Sequence, residues 1–240
     1  LVEKILGPGE DLPPDWPVAG TTGYEALNAI MGLFVDPAGK AALDATWRRF
    51  AGDPEGFAGE VVAAKRLVLE QSLAAETTRL VARVATWPDL TARDLPPASL
   101  HEALVALVTA LPVYRTYGAG APPAGEDRAR LEAAIAEAGA RLRPPTAEAL
   151  DCWRRLLLEE QDTACRPLRV AFEQLTGPVM AKALEDTAFY RWYRLTALNE
   201  VGGEPDHFGV SPEALHAFLQ HRAGRWPEAL LATATHDTKR

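Results

Sequence analysis

The sequence predicts a mainly α chain with a few parallel strands. Three observations carry this. Apolar residues recur at helical spacing through the middle, as in Leu100, Leu104, Leu107 and Leu111. Short apolar, strand-like runs stand at each end, 1–6 and 229–235. Each of these runs delivers a carboxylate, Glu3 at one end and Asp237 at the other. Carboxylates on strand ends far apart in sequence are what a (β/α) barrel uses, because its chemistry sits at the C-terminal ends of several strands. The helical middle then reads as a large insertion between strands.

The elements follow in order. Residues 1–6 read as the end of a strand, and Gly and Pro punctuate 7–23 as a loop. A short apolar helix covers 24–35 and another 40–50. The strongest helix runs over 55–87, with Val62, Leu69, Leu73, Leu80, Val84 and Trp87 on one stripe, and Pro88 ends it. The next starts at a capping-box pattern, Ser99-x-x-Glu102, and stops at Pro112. Residues 116–125 are loop. Helices follow over 126–142, 147–160 and 166–175, and Val179 to Lys182 reads as a short strand. Residues 202–211 are loop, and Ser211-Pro212-Glu213 starts a helix whose buried face is Leu215, Phe218 and Leu219.

Composition narrows the function. The 240 residues are 48% hydrophobic and 24% charged, enough for a sizeable core. A formal net charge of −8 disfavours phosphate backbones, so no nucleic-acid partner is expected. No apolar run approaches the roughly 18–20 residues of a membrane span, no secretory signal is seen, and a cytoplasmic location is expected. Cys152 and Cys165 form no CxxC pair and read as reduced thiols. The chain begins with Leu1 rather than Met, which reads as a cut from something longer.

Chemistry is sought where polar groups follow apolar runs. Glu3 suits a general acid, or a salt-bridged strand end. His236-Asp237 suits a fixed charge opposing a developing cation, or a turn. Together Glu3 and Asp237 are two of the carboxylates that glycoside chemistry needs, without the nucleophile. Lys182, Glu185 and Asp186 cluster in MAKALED, as a polar site or as a solvated helix start. Trp16, Tyr24, Phe189, Tyr190, Trp192 and Tyr193 could stack on sugar faces or fill the core. His207, His216 and His221 lack metal-ligand spacing, so no metal is expected. Phosphate-binding glycine loops are absent, and Ser72, Ser99 and Ser211 are poor nucleophile candidates.

Nine blocks occur in a distinctive order. They are VEKIL (2–6), WPVAGTTGY (16–24), GLFVDPAG (32–39), AKRLVL (64–69), PVYRTY (112–117), LTGPVMAKALEDTAFYR (175–191), LNEVGG (198–203), FGVSP (208–212) and ATATHDTKR (232–240). In this set the chain resembles the maltooligosyltrehalose synthase family of the α-amylase superfamily (glycoside hydrolase family 13). The resemblance is weakest over 119–165. It implies about strands 5 to 7 of a (β/α)8 barrel. Residues 1–23 would be a strand end and active-site loop, 24–175 a helical insertion, and 176–240 the return to the barrel.

The resemblance also implies an internal fragment, inactive alone because the nucleophilic Asp lies upstream. Glu3 would be the acid/base and Asp237 the third carboxylate. His236, Lys239, Lys182, Glu185, Asp186, Trp16 and Tyr24 would bind substrate, with Trp16 and Tyr24 walling in a released glucose. Ala183 stands where the family pattern leads one to expect Gly in a turn. No cofactor is implied. The substrate would be a maltooligosaccharide, and a trehalose-releasing hydrolase would act alongside. Competing readings are another α-glucan hydrolase or transferase of the superfamily, and a non-catalytic helical binding module.

Overall fold

A computed structural model describes residues 1–7, 9–52, 56–87 and 95–238. The chain divides into two compact units, Leu1–Glu60 with Glu185–Arg240, and Val61–Leu184. Among the described residues it is mainly helical, as the apolar periodicity requires.

The second unit is a helix assembly around one buried helix. Numbered in chain order, α1 is Tyr24–Gly32, α2 Lys40–Ala51, α3 Gly56–Leu67, α4 Ala74–Ala85 and α5 Pro97–Ala110. Then come α6 Gly125–Gly139, α7 Thr146–Arg154, α8 Arg166–Met180 and α9 Pro212–Arg225. Helix α5 packs against α4, α6 and α7. It is buried nearly all round, with Leu100, Leu104, Leu107 and Val108 at 2% exposure or less. That is the fate of a helix apolar on every face. Trp153 from α7 is wholly buried against it and donates its indole N–H to the Leu100 carbonyl at 2.9 Å. Buried Lys65 from α3 donates to the carbonyls of Thr109 (3.2 Å) and Leu111 (2.7 Å), satisfying groups that a helix end leaves open.

Several sequence expectations are corrected here. The stripe over 55–87 is not one helix. The Leu73 N–H bonds back five residues to the Val68 carbonyl (2.8 Å), making a π-turn over Val68–Ser72. The Thr77 hydroxyl takes up the Leu73 carbonyl at 2.8 Å. Val62, at the head of the stripe, is exposed. Pro88 lies outside the described residues. Ser99 caps nothing: Pro97, with its φ already set for a first turn, starts α5 two residues earlier, and Ser99 is buried inside the helix.

Val179 to Lys182 is not a strand. Helix α8 runs through Pro178 to Met180 and continues as a π-helical stretch over Ala181–Ala188. Val179, Met180 and Ala183 are buried on one helical face. A short apolar run fits a buried helix as well as a strand, and periodicity alone does not separate them. Ala183 accordingly sits in a helix and not in a turn.

The first unit holds α1, α2 and α9 with long connecting segments. Val35, Leu198 and Phe208 form a buried cluster, flanked by Leu43 and Leu195. A second apolar group stacks Phe57 on Phe189 (5.9 Å) and tilts Trp47 against Trp192 (5.1 Å). Arg194 joins the two groups, pairing with Asp44 at 2.8 Å while lying against both the Trp192 and Phe208 rings. The Ser211 hydroxyl caps α9 by accepting from the Ala214 N–H at 3.1 Å, as the sequence indicates. Its apolar face is only half-buried, since Leu215, Phe218 and Leu219 all keep some exposure.

Neither end run forms a strand among the described residues. The pairing present is a single parallel bridge between Val2 and Thr21. The Val2 N–H donates to the Gly20 carbonyl (3.0 Å) and the Thr22 N–H to the Val2 carbonyl (3.2 Å). On the other side of the same residue, the Leu230 N–H donates to the Thr21 carbonyl at 3.0 Å. Three segments thus lie side by side with 20–22 in the centre. Pairing stops there because Gly23, at φ +93, turns the chain directly into α1.

Candidate active site

The end segments bring Glu3 and Asp237 together. Alternation along an extended backbone sends Glu3 outward and Lys4 inward, where Lys4 pairs with Glu10 at 2.7 Å. That buried pair anchors the 7–12 loop, and Glu10 also accepts from the Gly7 N–H at 2.9 Å. At the other end, residues 235–238 close into a turn. The Thr235 N–H donates to the Thr238 hydroxyl (2.7 Å), and the Asp237 N–H donates to the Thr235 hydroxyl (3.2 Å). One oxygen of Glu3, one of Asp237 and one ring nitrogen of His236 all lie within 4.8 Å of one another.

Tyr24 stands between the two carboxylates. It is the first residue of α1 and 3% exposed. Its hydroxyl donates to Asp237 Oδ2 at 2.7 Å, and the same oxygen lies 3.3 Å from Glu3 Oε1. Asn28, one turn along α1, donates to the carbonyls of Tyr24 (2.9 Å) and Val201 (2.8 Å) and so fixes the helix start. Burial, the bond to Asp237 and the charges of Asp237 and Glu3 push the phenol well above its ordinary value, against a smaller lowering by Thr235. Tyr24 therefore stays a donor wherever the carboxylates are ionised.

The remaining sequence candidates fall as follows. His236 is exposed, with Nε2 3.5 Å from Asp237 Oδ1. Trp16 is half-buried in the 7–23 loop, where its N–H closes a turn onto the Pro13 carbonyl (3.2 Å). Glu185 and exposed Asp186 lie on the π-helical stretch in the first unit, while exposed Lys182 belongs to the second unit. Lys239 lies outside the described residues. Sequence reasoning missed Asn28, Thr235 and Thr238. The two threonines bracketing His236-Asp237 carried a signal, because hydroxyls flanking an Asp favour a side-chain-closed turn.

The donor set could in principle hold a cation, two carboxylates and an imidazole being usual ligands. Glu3 and His236 are exposed, however, and Tyr24 already occupies Asp237 Oδ2. What the arrangement offers more directly is two carboxylates and a fixed phenol facing one small volume. That suits proton transfer at one centre beside a held negative charge.

No protein-family model matches the chain. A Mycobacterium tuberculosis protein named maltooligosyl trehalose synthase is 36% identical over all 240 residues, which span 29% of that protein. The structure of maltooligosyltrehalose synthase from Arthrobacter ramosus is 40% identical, with a TM-score of 0.83 over the whole chain and 29% of the other. A Sulfolobus tokodaii structure, described as a hypothetical maltooligosyl trehalose synthase, shares the fold alone at 23% identity. Its TM-score is 0.70, over 98% of this chain and 27% of the other. No helix among the described residues is long and apolar enough to cross a membrane. The chain is thus homologous, over its whole length, with slightly under a third of proteins named maltooligosyl trehalose synthase.

Proposed function

We propose that this chain supplies two catalytic carboxylates to an enzyme of trehalose biosynthesis. The enzyme converts the reducing-end α-1,4 bond of a maltooligosaccharide into an α,α-1,1 bond, an intramolecular transfer. The observation that carries this is the meeting of Glu3 and Asp237, from opposite ends of the chain, on one buried tyrosine hydroxyl. The homology to proteins named for that synthesis supports it. In this reading residues 1–23 and 176–240 are sections of a (β/α)8 barrel and 24–175 a helical insertion. The parallel bridge between Val2 and Thr21 supports that arrangement, since neighbouring barrel strands run parallel, and Leu230 bonds the other side of Thr21.

The chemistry is a retaining double displacement. Glu3, protonated, gives its proton to the departing glycosidic oxygen. A nucleophilic carboxylate from the rest of the longer protein holds the glycosyl group, so the 240 residues alone are inactive. Asp237 opposes the positive charge developing at the sugar ring. Glu3, now ionised, takes the proton from the anomeric hydroxyl of the released glucose, which attacks and closes the new bond. Isomerisation outruns hydrolysis because that glucose turns over in place while water is kept out. Trp16 and the Glu185–Tyr193 segment form its walls, Tyr24 reaches the site by its hydroxyl alone, and His236, Glu185, Asp186 and Lys239 bind sugar hydroxyls. No cofactor takes part, a hydrolase that releases trehalose uses the product, and a reducing cytoplasm suits two buried cysteines that form no disulfide.

The test is Glu3→Gln and Asp237→Asn in the full-length protein with maltopentaose. Each substitution is expected to lower turnover by about 10³-fold. Turnover within a few-fold of wild type in either variant overturns the assignment.

A further inference from the structure

A phenol has one proton, and that proton cannot serve both carboxylates. The 2.7 Å contact commits it to Asp237 Oδ2. The remaining face of the Tyr24 oxygen, 3.3 Å from Glu3 Oε1, then has only lone pairs to offer. That second contact is a hydrogen bond only when Glu3 carries a proton. Donation to Asp237, in contrast, is strongest when Asp237 is ionised.

We propose that Tyr24 is a positioning residue that sets the division of labour between the two carboxylates, favouring the pair Glu3–H with Asp237 ionised. This rests on the catalytic reading of Glu3 and Asp237 given above. That pair is the one the first bond cleavage requires: an acid to protonate the leaving oxygen and a fixed anion facing the ring.

Three features make the tyrosine a rigid reference rather than a mobile side chain. Its ring is 3% exposed, so the hydroxyl and not the ring face is what reaches the carboxylates. Its backbone is held by Asn28, whose amide donates to the Tyr24 and Val201 carbonyls. Asp237 is held in turn by the 235–238 turn, its N–H donating to the Thr235 hydroxyl. The raised phenol value, caused first by burial and then by Asp237, keeps Tyr24 a donor throughout the range where a glycosidase works.

The experiment uses the full-length protein with maltopentaose and compares three forms at position 24. Tyr24→Phe keeps the ring and its burial and removes only the hydroxyl. A residue acting as a wall would tolerate this. A residue fixing Asp237 is expected to lose about 10²-fold in kcat with KM changed by less than about three-fold. Replacement of Tyr24 by 3-fluorotyrosine, a stronger donor of nearly the same shape, is expected to keep kcat within a few-fold of wild type. In an Asp237→Asn background, Tyr24→Phe is expected to add little further loss, because the two act as one unit.

Wild-type kcat in Tyr24→Phe overturns the proposal. So does a fluorotyrosine form as weak as the phenylalanine form, or a full additional loss on top of Asp237→Asn. Failure of the broader reading is distinguishable: there Glu3→Gln and Asp237→Asn themselves leave turnover intact.

Discussion

Gly23→Ala is expected to destabilise the first unit and dismantle the site from its backbone side. Gly23 has φ +93, and a Cβ built there falls 2.3 Å from the Leu230 carbonyl oxygen and 2.8 Å from the Ala232 nitrogen. Both are main-chain atoms, so no side-chain rotation relieves the overlap. The left-handed backbone costs an L side chain about 1–2 kcal/mol. Overpacking adds about 1–3 kcal/mol. The sum, about 2–5 kcal/mol, is large against a typical total of about 5–15 kcal/mol. With a slope of about 1–3 kcal/mol per molar urea, the unfolding midpoint moves down by at least about 0.7 M. The shift also separates α1 from the 229–232 segment, and with it Tyr24 from Asp237. Urea unfolding by circular dichroism, with hydrogen exchange of the α1 amides, reads both effects. Gly52→Ala is the control: its φ is +62 but nothing lies within 4 Å, so only the backbone part of the cost remains. A Gly23→Ala midpoint no lower than that of Gly52→Ala refutes the reasoning.

Two further predictions concern the helical unit. Burial pulls the Lys65 ammonium down from its ordinary 10.5 to about 8. Between those values the unfolded chain binds more protons than the folded one, so stability rises with pH across that window. Relative to Lys65→Met, the wild-type protein is expected to gain up to about 3 kcal/mol between pH 7.5 and 10.5, read as urea midpoints of both forms. An unchanged gap contradicts it. Trp153→Phe removes the bond to Leu100 and part of a wholly buried ring. A loss of about 1–3 kcal/mol is expected in the same assay, and a loss below about 0.5 kcal/mol speaks against that bond holding α7 to α5.

What was legible in the sequence is what local chemistry decides. The Leu100, Leu104, Leu107 and Leu111 stripe, bounded by prolines, gave α5 and its burial, because a helix satisfies its own backbone wherever it packs. Extended segments do not satisfy theirs. Whether 1–6 and 229–235 become strands depends on neighbours, and here the pairing ends at Val2–Thr21. Val179 to Lys182 misled for a related reason: three apolar residues and a lysine are too few to carry a period, and the helix entering from Arg166 decided their fate. In the site, Glu3 and Asp237 could be singled out because each follows an apolar run at an end of the chain. Tyr24 could be noticed as an aromatic but not given its part, since its contacts reach across 213 residues to Asp237. Asn28 was equally invisible, its partner Val201 lying 173 residues away.

The central claim is tested most directly by the products. The full-length protein is incubated with maltopentaose while reducing ends and free glucose are followed together. The account predicts that reducing ends disappear with little glucose released, as the terminal unit turns and closes onto its neighbour at a non-reducing trehalose end. A rise in reducing ends would mean that water takes the glycosyl group, and would contradict the account.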